Sequence, residues 1–484
     1  MSFGLRVVGN VNPREPRPEF VTYIDPFIDE AIKLILPVGI RNELAGFSRS
    51  YYSMQGHIDS ILRFDKPMQF APSDNEWRSV VQDSLREFAR YPRVSALSAR
   101  KDALSFAQVR YHQGTSAGFG YRENPGQYPT HKGPPDGPNA KKARRIASRI
   151  VYECKEAHKQ GRWNEFIENL PNDSTPDVAF TRTQLAELPN SKVRNVFGEC
   201  FHYVLLEGLF AQPLIEMFMN IDSFYFIGED PITGVPRLID SLSEQYSQFV
   251  TIDWSGFDAS VQVYEIDLAF DLMESILDFP DHDTRLVFYY VKRLFISRKL
   301  ASPDGRLFLR YGGVPSGSFF THIVDSIVNM IRIRYLFTRV GISVAFIRTH
   351  GDDGLVVPGE HIETLNDVVA EANLRLWKIN IDKSKLVQLR SEIEFLGRTS
   401  RSGVSYRDSL KCLRLLLYPE YPVDDPQIAI ARLKGIDQDS GHRVQYIPEI
   451  YRALKTKYGD EELPLPAKFQ RFSLNIMNAS PIGI

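Results

Sequence analysis

The chain has 484 residues, of which 43% are hydrophobic and 24% charged, with a net charge of −2; this is the make-up of an ordinary soluble globular protein of about three lobes at ~150 residues each. The near-neutral balance does not advertise a nucleic-acid partner, although the local distribution of charge decides that question and the sum does not. The three cysteines, Cys154, Cys200 and Cys412, lie far apart and exclude a disulfide framework or zinc site. The first residues lack the build of a secretory signal, and no apolar run reaches the ~18 residues of a membrane span, so a soluble protein of a reducing compartment is expected.

Taken in order, Val21 to Arg110 carries helical apolar spacing, as in Ile28, Ile32 and Ile35 and again in Val80, Val81, Leu85 and Phe88. From Gln113 to Asn139 glycine and proline crowd the chain, including Gly133-Pro134-Pro135-Asp136-Gly137-Pro138, which predicts an extended loop followed by a helix opening on the basic cluster Lys141, Lys142, Arg144 and Arg145. Val178 to Gly198 is strand-compatible and basic, with Arg182, Lys192 and Arg194, and a helix is expected over Phe201 to Met219. The apolar strand Phe249-Val250-Thr251-Ile252 then runs into Asp253-Trp254-Ser255-Gly256-Phe257-Asp258, before an amphipathic helix from Val263 to Leu277. After the turn Gly312-Gly313-Val314-Pro315-Ser316-Gly317 a long helix runs from about Phe319 to Arg339.

A hairpin follows, in which Ile342 to Ile347 and Leu355 to Val357 flank His350-Gly351-Asp352-Asp353. Pro358-Gly359 is read as opening another helix, with Leu365, Val368, Val369, Ala372 and Leu376 on its apolar face. Lys383-Ser384-Lys385 and Glu394-Phe395-Leu396-Gly397 come next, and the tail after Lys411 reads as mostly helical. There is no internal repeat.

Two strand-end carboxylates brought together from distant parts of a chain, here Asp253 and Asp352, suit a pair of Mg²⁺ ions that clamp a phosphoryl transfer. Alone, Gly-Asp-Asp is also an ordinary solvated turn, and the plain alternative for Asp253 is a cap of the helix that follows it. The ordered series is more specific: Asp-x4-Asp at a strand end, Ser-Gly-x3-Thr before a helix, Gly-Asp-Asp in a hairpin, then Lys383-Ser384-Lys385 and Phe395-Leu396-Gly397. It resembles the palm motifs of viral RNA-dependent RNA polymerases, over about Thr115 to Gly397. Gly313-Val314-Pro315-Ser316-Gly317-Ser318, Asp325-Ser326 and the length make it most similar to the partitivirus-like polymerases of double-stranded RNA viruses.

The resemblance implies a helix-rich α+β right hand, with fingers and an N-terminal extension over residues 1–245, a palm of antiparallel sheet and helices over 246–410 holding an inserted fingers segment at about 280–312, and a thumb over 411–484. It implies Mg²⁺, with Mn²⁺ able to substitute, on Asp253 and Asp352, with Asp353 auxiliary and the Trp254 carbonyl as a further donor. Asp258, Ser316, Gly317, Thr321 and Asp325 would bind the nucleotide, with Asp258, Ser316 and Asp325 around the ribose, whose 2′-hydroxyl distinguishes RNA precursors. Asp325 stands where plus-strand polymerases commonly carry asparagine; if it lies close to Asp258, one of the two holds a proton at neutral pH. The plain alternative for Asp325 is a salt bridge to a fingers arginine.

Arg182, Lys192 and Arg194 would hold the triphosphate, as forked guanidinium donors do, unless they are simply a solvated basic strand. Lys383, with Lys385 as competitor, would protonate pyrophosphate. Thr115, Ser116 and Gly118, with Lys141, Lys142, Arg144 and Arg145, would line the template path, the alternative being a surface loop and a solvated helix start. Phe395 and Leu396 would support the primer end, though both suit a core equally. His350 and His282 are read as structural. The implied partners are RNA template and product, nucleoside triphosphates and the viral capsid protein, inside a virion in the host cytoplasm, with no membrane. A reverse transcriptase-like enzyme is disfavoured by Asp258 and Ser316, and a non-catalytic RNA-binding virion protein by the intact carboxylates and basic set.

Overall fold

The computed structural model describes residues 4–461, apart from 15–16, 101–104, 122–129 and 191, together with Pro466 and Phe469. Its centre is a four-stranded antiparallel sheet. Phe249–Ile252, buried at all four residues, lies between Asp353–Pro358 and Lys385–Val387, with Val344–His350 outermost. Covered on both faces, the central strand is uninterrupted by charge. Register sets the chemistry: Gly354 pairs with Ile252 and Lys385 with Thr251, so Asp253, Asp353 and Lys383 emerge at one end of the sheet.

The helix Thr321–Arg339 packs on Val344–His350, with Asn75–Phe88 and Val263–Ile276 against it. It is buried nearly all round, so its polar residues must find partners inside the protein. Arg332, wholly buried, bonds Glu265 through Nε and Nη2 at 2.7 Å each. It also donates to Ser260 Oγ at 2.9 Å and Ser260 O at 3.2 Å, and it lies over the rings of Phe257 and Trp377, 4.8 Å from each centroid.

A five-stranded sheet unites three distant segments in the order Leu5–Asn10, Arg306–Tyr311, Ser297–Ala301, Asp177–Gln184, Lys192–Gly198. Only the pairing of Asp177–Gln184 with Ser297–Ala301 is parallel. Beneath it Arg298 is buried among Asp177, Glu199 and Glu207. The C-terminal helices Ser409–Leu417, Pro426–Asp439 and Ile447–Tyr458 share a core with Pro26–Ile35 near the N-terminus, tied by a buried Arg432–Asp25 ion pair.

The glycine- and proline-rich segment 113–139, of which 122–129 lie outside the described residues, leads as expected into a helix, Pro138–Lys159. Pro358-Gly359 opens no helix: the next one is Asn366–Leu374. Leu376 lies beyond it, 52% exposed and in the left-handed region at φ 58°. The chain turns there so that Trp377, 1% exposed, takes the core position. All three cysteines are buried and free, and among the described residues no helix is long and apolar enough to cross a membrane.

Arg332→Leu would leave the Glu265 carboxylate buried without its partner, a loss of about 3–5 kcal/mol. A clearly lowered thermal midpoint is expected; a midpoint equal to wild type would show that the pair does not brace this helix.

Candidate active site

Asp253 follows directly on the central strand. Its Oδ2 accepts from Asn380 Nδ2 at 2.9 Å, and Lys383 Nζ stands 3.6 Å from Oδ1. Its backbone N–H donates to Ser384 Oγ at 2.9 Å. Asp253 caps no helix: the short turn after it begins at Gly256, itself left-handed at φ 68°. Lys385, by contrast, sits in the ladder opposite Thr251.

Asp352 and Asp353 occupy the tight turn between Val344–His350 and Asp353–Pro358, with Gly351 at φ 61°. The turn is fastened from the long helix. Ser326 Oγ accepts the Gly351 N–H at 2.9 Å, and Asn329 Nδ2 donates to Gly351 O at 3.0 Å and Asp353 O at 3.1 Å. Burial, then Asp258, push Asp352 up to about 6 against the pull of Arg194. Burial, then Asp352 and Asp253, push Asp353 up to about 7.

Among the described residues no three His, Cys, Asp or Glu side chains converge as a ready-made metal cage. The donor chemistry fits a divalent cation all the same. Carboxylates that raise one another's proton affinity would be relieved by a cation between them, and Mg²⁺ is commonly held by one or two carboxylates plus waters and substrate phosphates.

The second constellation is assembled by the glycine turn. Ser316 Oγ donates to Asp258 Oδ2, and Phe197 N–H donates to Ser316 O at 2.8 Å. Gly317, at φ 123°, is required here: a Cβ would lie 2.3 Å from Phe197 O. Thr321 is used inside the turn, donating to Pro315 O at 3.1 Å and accepting from Gly317 N–H at 3.3 Å. Asp325 is 4% exposed and its Oδ1 is buried without a hydrogen-bond partner, so the salt-bridge alternative is not realised. Burial, then Asp258 and Asp352, hold its carboxyl well above the usual range. Asp258 is raised by burial too, but Ser316 and Arg194 offset this. Of the two carboxyls, Asp325 has the stronger hold on its proton.

On the five-stranded sheet Arg182 pairs directly with Arg194, and Gln184 with Lys192. Val193, Asn195 and Phe197 are buried while Lys192 and Arg194 are exposed, so alternation puts the basic side chains on one face. Like charges directly opposite are destabilising, and an anion on that face removes the cost. Arg194 acts on both Asp258 and Asp352, which joins the basic face to the carboxylates.

The expected template residues divide. Thr115, Ser116 and Gly118 form a loop docked on the start of Phe201–Met219, where a Cβ on Gly118 would lie 2.6 Å from Glu199 O and Phe201 N–H donates to Ala117 O at 2.9 Å. Lys142 folds back, donating to Gly120 O at 2.6 Å with its ammonium 5.0 Å from the Tyr121 ring, and Arg144 donates to Pro135 O at 2.6 Å. Lys141 and Arg145 are exposed. Phe395 is a core residue, 2% exposed and 5.5 Å from Phe226 edge-on. Only Leu396 is at the hairpin tip, where it and Gly397 both have positive φ, 54° and 66°, as a type I′ turn requires. His350 is structural, its Nδ1 2.7 Å from Phe226 O.

Sequence alone gives no role to Asn329 and Asn380, nor to Ser326 and Ser384 beyond their place in the Asp325-Ser326 and Lys383-Ser384-Lys385 runs. A trace of Ser326 and Asn329 is present in the sequence: with Arg332 they recur every third residue through a run dominated by Ile and Val.

A family model described as viral RNA-dependent RNA polymerase matches residues 30–455. The sequence is 25% identical over 320 residues to the RNA-directed RNA polymerase of Atkinsonella hypoxylon virus (isolate 2H), covering 55% of this chain and 48% of that one. It is 24% identical over 334 residues to the RNA-directed RNA polymerase of White clover cryptic virus 1, covering 57% and 52%. The chain thus spans about half the length of these relatives. The solved RNA-dependent RNA polymerase of a Sicinivirus shares the fold at a TM-score of 0.67 and 14% identity, over 98% of this chain and 99% of that one.

The crowded turn makes a stability prediction. A carboxyl raised from 3.8 to about 7 in the folded protein destabilises it increasingly as pH rises through that window. Without divalent cations, Asp353→Asn should raise the thermal midpoint at pH 8, and the gain should shrink as pH falls from about 7 toward about 4. Equal midpoints at pH 8, or a gain undiminished at pH 4, would count against the crowding.

Proposed function

The chain belongs to the family of viral RNA-dependent RNA polymerases, and from that premise we propose that it catalyses template-directed ribonucleotidyl transfer in transcription and replication of a viral RNA genome. The observation that carries the reading is the meeting, at one end of the central sheet, of Asp253, Asp352 and Asp353 with the Asp258–Ser316 pair and Arg194. The α+β right-hand fold supplies the frame, read as fingers over 1–245, palm over 246–410 and thumb over 411–484.

Asp253 and Asp352 would hold Mg²⁺, or Mn²⁺ in its place, with Asp353 and the Trp254 carbonyl as auxiliary donors. When bound, divalent ions there supply Lewis acidity to the 3′-hydroxyl nucleophile and neutralise charge on the triphosphate and the leaving pyrophosphate. Arg194, Arg182 and Lys192 bind and orient the triphosphate with charge-assisted hydrogen bonds. Lys383, 3.6 Å from Asp253, would give a proton to pyrophosphate.

Asp258 and Ser316 hold the ribose. Asp325, whose carboxyl is held well above the usual range by burial, would when protonated donate a hydrogen bond as an asparagine does. Thr115, Ser116, Gly118, Lys141 and Arg145 are left to guide the template, since Lys142, Arg144 and Phe395 are engaged elsewhere. RNA and nucleoside triphosphates are the partners. Association with a capsid protein, inside a virion in the host cytoplasm, follows from the likeness to polymerases of double-stranded RNA viruses.

Asp253→Asn and Asp352→Asn keep side-chain shape but lose the charge a divalent ion needs, so each should abolish Mg²⁺-dependent incorporation while leaving RNA binding largely intact. Near-wild-type incorporation by either variant overturns the assignment.

Sugar selection provides the second test, measured as kcat/KM for matched ribo- and deoxyribonucleotides. Asp258→Ala should erode discrimination mainly by slowing the ribonucleotide, because a site built to bond a hydroxyl loses its acceptor. Asp325→Asn, which keeps a donor, should retain the preference. An unchanged ratio in Asp258→Ala returns that residue to a purely structural role. A preference for deoxyribonucleotides in the wild type would favour a reverse transcriptase-like enzyme instead.

A further inference from the structure

Asn329 lies in the middle of the long helix and is 0% exposed. Its Oδ1 accepts the Trp254 Nε1–H at 2.8 Å, and its Nδ2 donates to Gly351 O at 3.0 Å and Asp353 O at 3.1 Å. An indole N–H can only donate, so the amide oxygen must face Trp254 and both amide hydrogens are committed to the opposite turn. Trp254 is the neighbour of Asp253; Gly351 and Asp353 bracket Asp352. One side chain therefore spans the two carboxylate turns.

Close approach of the helix depends on Gly354, where a Cβ would lie 2.9 Å from Ile333 Cδ1 and 3.6 Å from Asn329 Nδ2. Ser326, one turn earlier, bonds Gly351 N–H and so orients one turn. Asn329 ties the two together. A buried asparagine that merely satisfies its own polar atoms could take partners from any element; all three partners here belong to the two turns.

We propose that Asn329 is the positioning residue that fixes the separation of the Asp253 and Asp352 turns, with Trp254 setting the orientation of its amide. The proposal rests on the reading of Asp253 and Asp352 as the ion-holding pair and deepens it. Mg²⁺ demands near-ideal octahedral geometry at short distances, so a slackened separation penalises Mg²⁺ more than the larger Mn²⁺. Groups that orient a ligand from behind it are worth about 10–100-fold in metal affinity or activity.

The test uses the full chain with Asn329→Leu, which removes the link at similar size, and Trp254→Phe, which keeps a ring but frees the amide oxygen. In Mg²⁺, Asn329→Leu should lose kcat by about 100-fold and Trp254→Phe by about 10-fold, with nucleotide KM within about two-fold because the basic ladder and ribose set are untouched. In Mn²⁺ both losses should shrink by about ten-fold. Two readouts do not depend on turnover. The Trp254 indole resonance in ¹⁵N-tryptophan spectra, identified by its loss in Trp254→Phe, should move in Asn329→Leu. Mn²⁺ binding without nucleotide, followed by electron paramagnetic resonance, should weaken in both variants.

Thermal melting shows which variants are folded, and Trp254→Phe decides the matter if Asn329→Leu is not. Equal losses in Mg²⁺ and Mn²⁺, an unmoved indole resonance, or unchanged Mn²⁺ binding in a folded variant each overturn the proposal. Asp352→Asn is the control. If it stays active, the ion-holding reading falls and takes the proposal with it. If it is inactive while folded Asn329→Leu keeps wild-type kcat and Mg²⁺/Mn²⁺ ratio, the clamp alone is wrong.

Discussion

Carboxylate crowding is the constraint on which the rest of this structure depends. Burial is the largest cause of the raised carboxyls, and their neighbours add to it: Asp258 and Asp352 raise Asp325, Asp258 and Asp253 raise Asp352, and Asp352 and Asp253 raise Asp353. Little opposes this repulsion. Lys383 stands 3.6 Å from Asp253 and is more than half exposed. Arg194 is exposed on the neighbouring sheet. Arg332 is spent on Glu265. A chain free to relax would spread these groups apart, so the surroundings must be stiff enough to hold them. Stability given up at one site in this way is the usual mark of a place selected for function.

Stiffness comes from a helix whose middle is buried and mostly apolar. Ile323, Val324, Ile327, Val328, Ile331 and Ile333 fill the core at 0% exposure. Between them Ser326 and Asn329 reach the carboxylate turns, and Arg332 reaches the Ser260 backbone next to Asp258. Satisfied buried polar groups specify one arrangement because each alternative leaves a donor or acceptor unpaired.

This division explains what was legible in the sequence. The strand ends at Asp253 and the Asp352 turn could be read because apolar runs beside glycine and aspartate are local patterns. Arg182, Lys192 and Arg194 could be read as a basic strand region, but their sharing one face needed the register that pairs Arg182 with Arg194. What failed was tertiary. A basic cluster says nothing about Lys142 turning back onto the Gly120 carbonyl. Helical spacing could not reveal that Leu376 yields its core position to Trp377, or that Phe395 is occupied by Phe226. Asn329 could not be assigned at all, since its role exists only once Trp254 and Gly351 are brought to it. The five-stranded sheet was hidden for the same reason, its strands being drawn from three distant segments.

The buried ionic cluster adds the last link. Arg298 faces Asp177, Glu199 and Glu207, and Glu207 Oε2 accepts from Ser318 Oγ at 2.7 Å and from Phe319 N–H at 2.8 Å. The glycine turn is thus suspended between Glu207 and the Phe197 backbone, which holds Ser316 O. Phe197 is on the strand that carries Arg194, so Ser316 and the basic face move as one body. The carboxylate turns form a second body, joined through Asn329. Asp258 belongs to both, bonded to Ser316 and braced through Ser260 by Arg332. In the proposed function a nucleotide held by its triphosphate and ribose on the first body would be presented to the carboxylates of the second, and two links set that alignment: Asp258, and the helix Thr321–Arg339 that runs on from the glycine turn to Ser326 and Asn329.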